Sequence, residues 1–181
     1  MFKAELTVED ARAGMLKLQP KIERYADLIV RKGVNVEAGQ EVVIQAPVEV
    51  APFVRTLVAR AYAAGAGHVT VIWSDDEITR LTYENVEASW FETVPSWQRE
   101  QLDSLAEGGA CFIFVEGADP EALKGIDPAK PAAASKARNT QCKAYRRGMD
   151  FNINPWCIAG APVVAWARRG YPVSYTHLRA H

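Results

Sequence analysis

The sequence predicts an α/β fold: an open, mostly parallel wound sheet of about four strands with helices on both faces, in three layers. Three observations predict it. Residues 41–46 (EVVIQA) and 110–115 (ACFIFV) are short β-branched or charge-free runs of the kind that become buried strands, and residues 68–73 (HVTVIW) read as the second strand. Segments with apolar residues at helical spacing lie between them. The first two runs and the helix between them fit within about 35 residues, a βαβ unit whose right-handed crossover makes its strands parallel.

Taken in order, Thr7-Val8-Glu9-Asp10 offers a hydroxyl cap with a carboxylate three residues on, which predicts a helix from Thr7 to near Gln19. Pro20 suits the first turn of a second helix, on which Ile22, Tyr25, Ala26, Ile29 and Val30 form one face until Gly33. After the first strand, Pro52, Phe53, Leu57, Val58, Ala61 and Tyr62 mark another helix, with Gly65 as a left-handed cap. Residues 75–86 and 95–108 read as two more helices. Residues 119–124 are expected as a short helix and 128–148 as one longer helix, both on composition. Residues 156–159 are expected as the fourth strand, and residues 162–169 as a short helix with a Pro start and a basic finish.

Length and composition fit one domain, placed at residues 1–172. Residues 173–181 (VSYTHLRAH) have no apolar period and no cap, and read as an adaptor- or vector-derived tail. The 21 basic and 22 acidic residues nearly balance, so no overall field draws nucleic acid or an anionic membrane. The opening MFKAELTVED does not read as an export signal, and charges interrupt every apolar run before the roughly 18 residues of a membrane span. A soluble cytoplasmic protein without nucleic-acid or membrane partners is expected. Cys111, Cys142 and Cys157 are too scattered for a disulfide framework or a cysteine zinc site, so reduced thiols are expected.

Few residues suggest chemistry. His177 and His181 are four apart, as in a helical metal pair, but lack the intervening glutamate and fall in the tail. His68 opens a strand and is read as a hydrogen-bonded sheet residue. Gly65-Ala66-Gly67 follows a helix and precedes a strand, the reverse of a phosphate loop. Asp75, Asp76 and Glu77 lie beyond the carboxyl end of the second strand, where open α/β sheets place ligands. They could hold a divalent cation, but capping the next helix is the favoured reading. Lys136, Arg138, Lys143, Arg146 and Arg147 are read as a solvated helix face rather than an RNA contact. Trp90, Trp97, Trp156 and Trp166 are read as packing or interdomain residues rather than a stacking platform. No GxSxG elbow or cysteine–histidine pairing supports nucleophilic catalysis.

An ordered series of features carries a resemblance. Residues 25–80 contain YADLIV, a glycine turn, the strand ending in QAPVE, the AGAGHV return and the WSDDE segment; residues 155–172 read PWCIAGAPVVAWARRGYP. In that order they resemble the amino-terminal domain of the thermophilic metalloaminopeptidases of the aminopeptidase T and AmpS type, from about Pro20 to Pro172. The resemblance implies an intact enzyme that removes single residues from the amino ends of peptides. It further implies two divalent ions, such as cobalt, zinc or manganese, that activate a bridging water, and a homodimer. The family's metal ligands belong to a later catalytic domain, so no catalytic, cofactor-binding or metal-ligating residue is carried onto this sequence, and this chain alone is expected to be inactive. The competing readings are a stand-alone binding module, using Ser74 to Glu77 and the strand end near Glu116 for a small polar ligand, and a structural interaction domain.

Overall fold

Val42, Val43 and Ile44 lie in succession with no exposed surface, as a strand covered on both faces requires. The computed structural model describes residues 8–117, 119 and 121–161, with 8–17 as backbone only. Its strands are β1 (Glu41–Pro47), β2 (His68–Ser74), β3 (Cys111–Glu116) and β4 (Trp156–Gly160), in the order β2-β1-β3-β4. Every pairing is parallel: Glu41 registers with His68, Val42 with Cys111 and Phe112 with Trp156. The predicted open α/β sheet is therefore present, not closed into a barrel.

Six α-helices accompany the strands among the described residues: α1 (Val8–Leu28), α2 (Ala51–Ala63), α3 (Asp76–Asn85), α4 (Ser96–Glu107), α5 (Ala129–Gln141) and α6 (Lys143–Asp150). Alternation along β1 sends Val42, Ile44 and Ala46 to one face, where they pack with Ala26, Val30, Val54 and Leu57 of α1, its continuation and α2. Val43 points the other way, toward Leu102, Ala106, Ala137 and Tyr145 of α4, α5 and α6. Burying each such aliphatic side chain contributes about 1.5–3 kcal/mol. From β1 the chain steps outward to β2, then returns across the sheet to place β3 on the other side of β1. The direction of winding thus reverses between β1 and β3.

Three expected elements are corrected. The helices expected on either side of Pro20 are one, α1 running through Pro20 and closing with a π-helical turn at Ile29–Gly33. A proline forfeits one backbone bond, and Pro20 is exposed, so the freed carbonyl can turn to water. Thr7, the expected cap, lies outside the described residues. Within the short helix expected at 119–124, residues 121–124 make successive tight turns instead, with Asp119 accepting from the Glu121 amide through its side chain and from Ala122 through its carbonyl. The long helix expected at 128–148 is broken at Cys142, whose φ of −84° and ψ of 74° leave the helical region. There the fully buried thiol enters the second core, and Asp103 of α4 accepts from the Tyr145 amide 2.9 Å away, starting α6 in a new direction. The helix expected at 162–169 and the tail lie outside the described residues.

Two turns meet below the amino ends of the strands. Gly65 takes the expected left-handed conformation at φ +102°, and Gly39 lies at φ +79°. The Gly39 amide donates to the Gly65 carbonyl at 2.8 Å, and the Gly67 amide to the Gln40 carbonyl at 2.9 Å. Nearby, Asn154 is almost fully buried and donates to the carbonyls of Ala106 and Ala110 at 3.0 and 2.8 Å.

Candidate functional site

At the carboxyl edge of the sheet, where the winding reverses, a cleft of about 370 Å³ opens. Ligands of wound α/β sheets settle at such reversals. Its apolar wall is Ile72, Leu102 and Phe114, with Trp73 at the end of β2; Gln98, Gln101, Ser74 and Glu116 bring polar groups to it.

Gln45 and Arg138 also line it. Alternation places Gln45 on the same face as Val43, in register with Ile72 on β2 and Phe114 on β3. An amide thus occupies a central-strand position where an aliphatic side chain would pack without penalty. Arg138 reaches it from α5, its Nη2 donating to Gln45 Oε1 at 3.1 Å, while its guanidinium carbon lies 5.5 Å from the centre of the Tyr145 ring. Arg138 Nε and Gln45 Nε2 are buried without a hydrogen-bond partner among the described residues. Arg138 makes no ion pair among the described residues.

Arg138 corrects the reading of the basic stretch. Lys136, Lys143, Arg146 and Arg147 are exposed, and Arg146 pairs with Asp150, but Arg138 is half-buried and turned onto the sheet. Sequence reasoning missed both Arg138 and Gln45. The one available signal was an amide alternating with Val43 in an otherwise apolar strand core.

The acidic cluster behaves as a cap. Asp75 Oδ1 accepts from the Ile78 amide at 2.9 Å, and Asp76 Oδ2 accepts from the Asp119 amide at 2.7 Å, tying α3 to the turn after β3. Glu77 is exposed in the first turn of α3. None of the three lines the cleft, whereas Ser74 and Glu116 do. No cluster of three or more His, Cys, Asp or Glu suited to a metal ion occurs among the described residues.

His68 stands at the opposite end of β2. Its Nδ1 lies 2.9 Å from Glu41 Oε1, which also accepts from Thr70 Oγ1 at 2.6 Å. Burial alone would raise the Glu41 pKa, but the hydrogen bonds from His68 and Thr70 and the charge of His68 outweigh it and hold the carboxyl below 4.5. A carboxylate depressed in the folded state contributes stability above its unfolded pKa and loses it as pH falls through the folded value. Glu41→Gln is therefore expected to flatten the fall of stability below about pH 4.5, checked by urea unfolding at a series of pH values; an unchanged slope refutes the role.

All three cysteines are free, with Cys111 and Cys142 buried. Burial pushes the Cys111 thiol up to about 12 and raises those of Cys142 and Cys157, so they act as core atoms rather than nucleophiles. Gly65-Ala66-Gly67 forms the helix exit and turn. Trp90 and Trp97 are 57% and 67% exposed and Trp156 40%, so none is an interior packing residue; Trp166, His177 and His181 lie outside the described residues. No helix among the described residues is long and apolar enough to cross a membrane.

Comparison with known proteins supplies the relationship. Aminopeptidase AmpS of Bacillus subtilis is 41% identical over 152 residues, 84% of this chain and 37% of that protein. Aminopeptidase T of Thermus thermophilus is 34% identical over 151 residues, 83% of this chain and 37% of its own length. The solved structure of wild-type AmpT from Thermus thermophilus superposes with a TM-score of 0.75 at 34% identity, covering 83% of this chain and 38% of that one. The chain thus spans under two fifths of the length of these relatives. With residues 18–179 matching the thermophilic metalloprotease (M29) family as well, the chain belongs to that family.

Proposed function

We propose that this chain is the amino-terminal α/β domain, residues 1–172, of a metal-dependent aminopeptidase that releases amino-terminal residues from peptides. The observation that carries the reading is the 41% identity to an aminopeptidase along 84% of this chain. The intact enzyme would be a cytoplasmic homodimer carrying two divalent ions, cobalt, zinc or manganese, whose chemistry when bound would be activation of water for peptide hydrolysis.

The described residues do not fit that metal pair. Asp75 and Asp76 are engaged as backbone acceptors, and no histidine or further carboxylate joins them. The ligands belong to the part of the enzyme beyond this domain, so no catalytic step is assigned to these side chains.

Release of nitroaniline from leucine p-nitroanilide tests the reading. The chain alone, with added cobalt, is expected to release none above the blank. The longer reading frame, continued past residue 172, is expected to release it, lose the activity to a chelator and regain it with cobalt. Metal-dependent release by this chain alone overturns the placement of the ligands, and a silent longer protein overturns the aminopeptidase reading. A second reading, a small-ligand role for the domain itself, is favoured by the unpartnered donors of Gln45 and Arg138.

A further inference from the structure

We propose that the cleft between the carboxyl ends of β1 and β3 binds the carboxylate of an apolar amino acid or short peptide, with Arg138 and Gln45 as its receptors. The proposal concerns this domain's own residues and goes beyond the peptidase reaction.

A half-buried guanidinium whose Nε is shut from water gains from an anion beside it that offsets the lost hydration. Arg138 has no such partner among the described residues; its neighbours are an amide oxygen and the face of Tyr145. Arginine offers donors only. Gln45 must therefore present its oxygen to Arg138, which commits its amino group to another acceptor, and none of the described residues supplies one. Two donors, one of them on a cation, thus lack acceptors among the described residues. A carboxylate matches that pattern through its two oxygens, and charge-assisted bonds of this kind are the stronger class. Both residues line the cleft while these two nitrogens are buried, so binding requires a turn of the terminal amide and guanidinium toward the ligand.

The rest of the cleft selects among anions. Glu116 on the rim disfavours a dianion such as phosphate and offers an acceptor to an ammonium or amide group. Ile72, Leu102 and Phe114 supply contact for an apolar side chain. The space of about 370 Å³ falls in the range of small-ligand sites. An amino acid carries all three elements, and so does the carboxyl end of a short peptide.

The test is titration of the nitrogen-15-labelled chain with L-leucine, L-leucyl-L-leucine, L-leucinamide and inorganic phosphate, following the Arg138 Nε–H and Gln45 side-chain amide signals. Leucine or the dipeptide is expected to move both signals saturably, and whichever binds more tightly identifies the free amino acid or the peptide end as the source of the carboxylate. Leucinamide, which keeps the amine and side chain but lacks the carboxylate, is expected to leave them in place. Arg138→Met should weaken binding about tenfold or more. The double variant Gln45→Leu/Arg138→Met should abolish it while unfolding at the same urea concentration or higher, since replacing a buried polar pair with apolar side chains is often neutral or stabilising; this separates lost recognition from lost fold. Signals unmoved by leucine and dipeptide alike, as for a cleft holding water only, overturn the proposal. So does an equal response to leucinamide, or a response to phosphate alone. Since the readout is binding to this chain, a longer protein without peptidase activity would leave the result standing.

Discussion

Asn154→Ala is expected to lower the unfolding free energy by about 2–4 kcal/mol, measured by urea denaturation. The Asn154 side chain is 1% exposed. Its amide donates to the last turn of α4 through the Ala106 carbonyl and to the entry of β3 through the Ala110 carbonyl. Its own backbone amide donates to the Gly148 carbonyl in α6. The side chain thus fastens one helix end to a strand entry while the backbone amide holds α6, and alanine would take the side-chain donor from both carbonyls, leaving Ala106 with the Gly109 amide. A buried group left unsatisfied costs about 1–3 kcal/mol. Asn154→Asp should be worse at neutral pH than at pH 3, because it replaces the donors with a buried charge. A loss below about 1 kcal/mol for the alanine variant, with no pH effect for the aspartate variant, would show that this joint is not structural.

Gly67→Ala is expected to cost about 3 kcal/mol, at the upper end of overpacking changes. A Cβ on Gly67 would sit 2.9 Å from the Gly39 carbonyl carbon and closer still to its oxygen. Backbone cannot swing aside as a flexible side chain can, so the two turns must separate and strain the bonds from Gly39 to Gly65 and from Gly67 to Gln40. Gly39 supplies the contrast: a Cβ there meets nothing within 4 Å, but φ is +79°. Gly39→Asn should be milder than Gly39→Ala, since asparagine tolerates the left-handed region, whereas Gly67→Asn should recover nothing relative to alanine. Thermal unfolding of the four variants checks this, and recovery at Gly67 would mean that the dihedral, not the close approach, demands glycine.

The sheet was legible because its strands announce themselves. EVVIQA, HVTVIW and ACFIFV are short runs rich in β-branched and apolar residues, and the short crossover between the first two fixes their parallel sense. The same patterns left the helix boundaries open where a tertiary contact decides them. Pro20 looks like a start, yet an exposed proline costs a long helix only one bond. Cys142 gives no sign in sequence that its burial will end α5, because Asp103, which starts α6, is far away in the chain. The cleft was legible only at its rim. Ser74 and Glu116 follow from the strand ends, while Gln45 and Arg138 acquire meaning only when folding sets them against each other. Arg138 in particular stands among basic residues of identical type that remain in water, and charge patterning cannot single it out.

The central position of β1 also sets a timetable. It is the first of the described strands to leave the ribosome, and its partners on the two sides, β2 and β3, come progressively later. Until Cys111–Glu116 has been synthesised, one backbone edge of Val42, Val43 and Ile44 has no native partner, and apolar side chains destined for complete burial stay uncovered. Such an interval is when a nascent chain is most open to pairing with another copy of itself. Synthesis that stalls between β2 and β3 therefore yields a sticky half-sheet, whereas synthesis that passes β3 closes the centre. Non-local parallel pairing of this kind is also slow, so the yield of folded chain depends on how quickly the stretch from Asp75 to Glu116 is delivered.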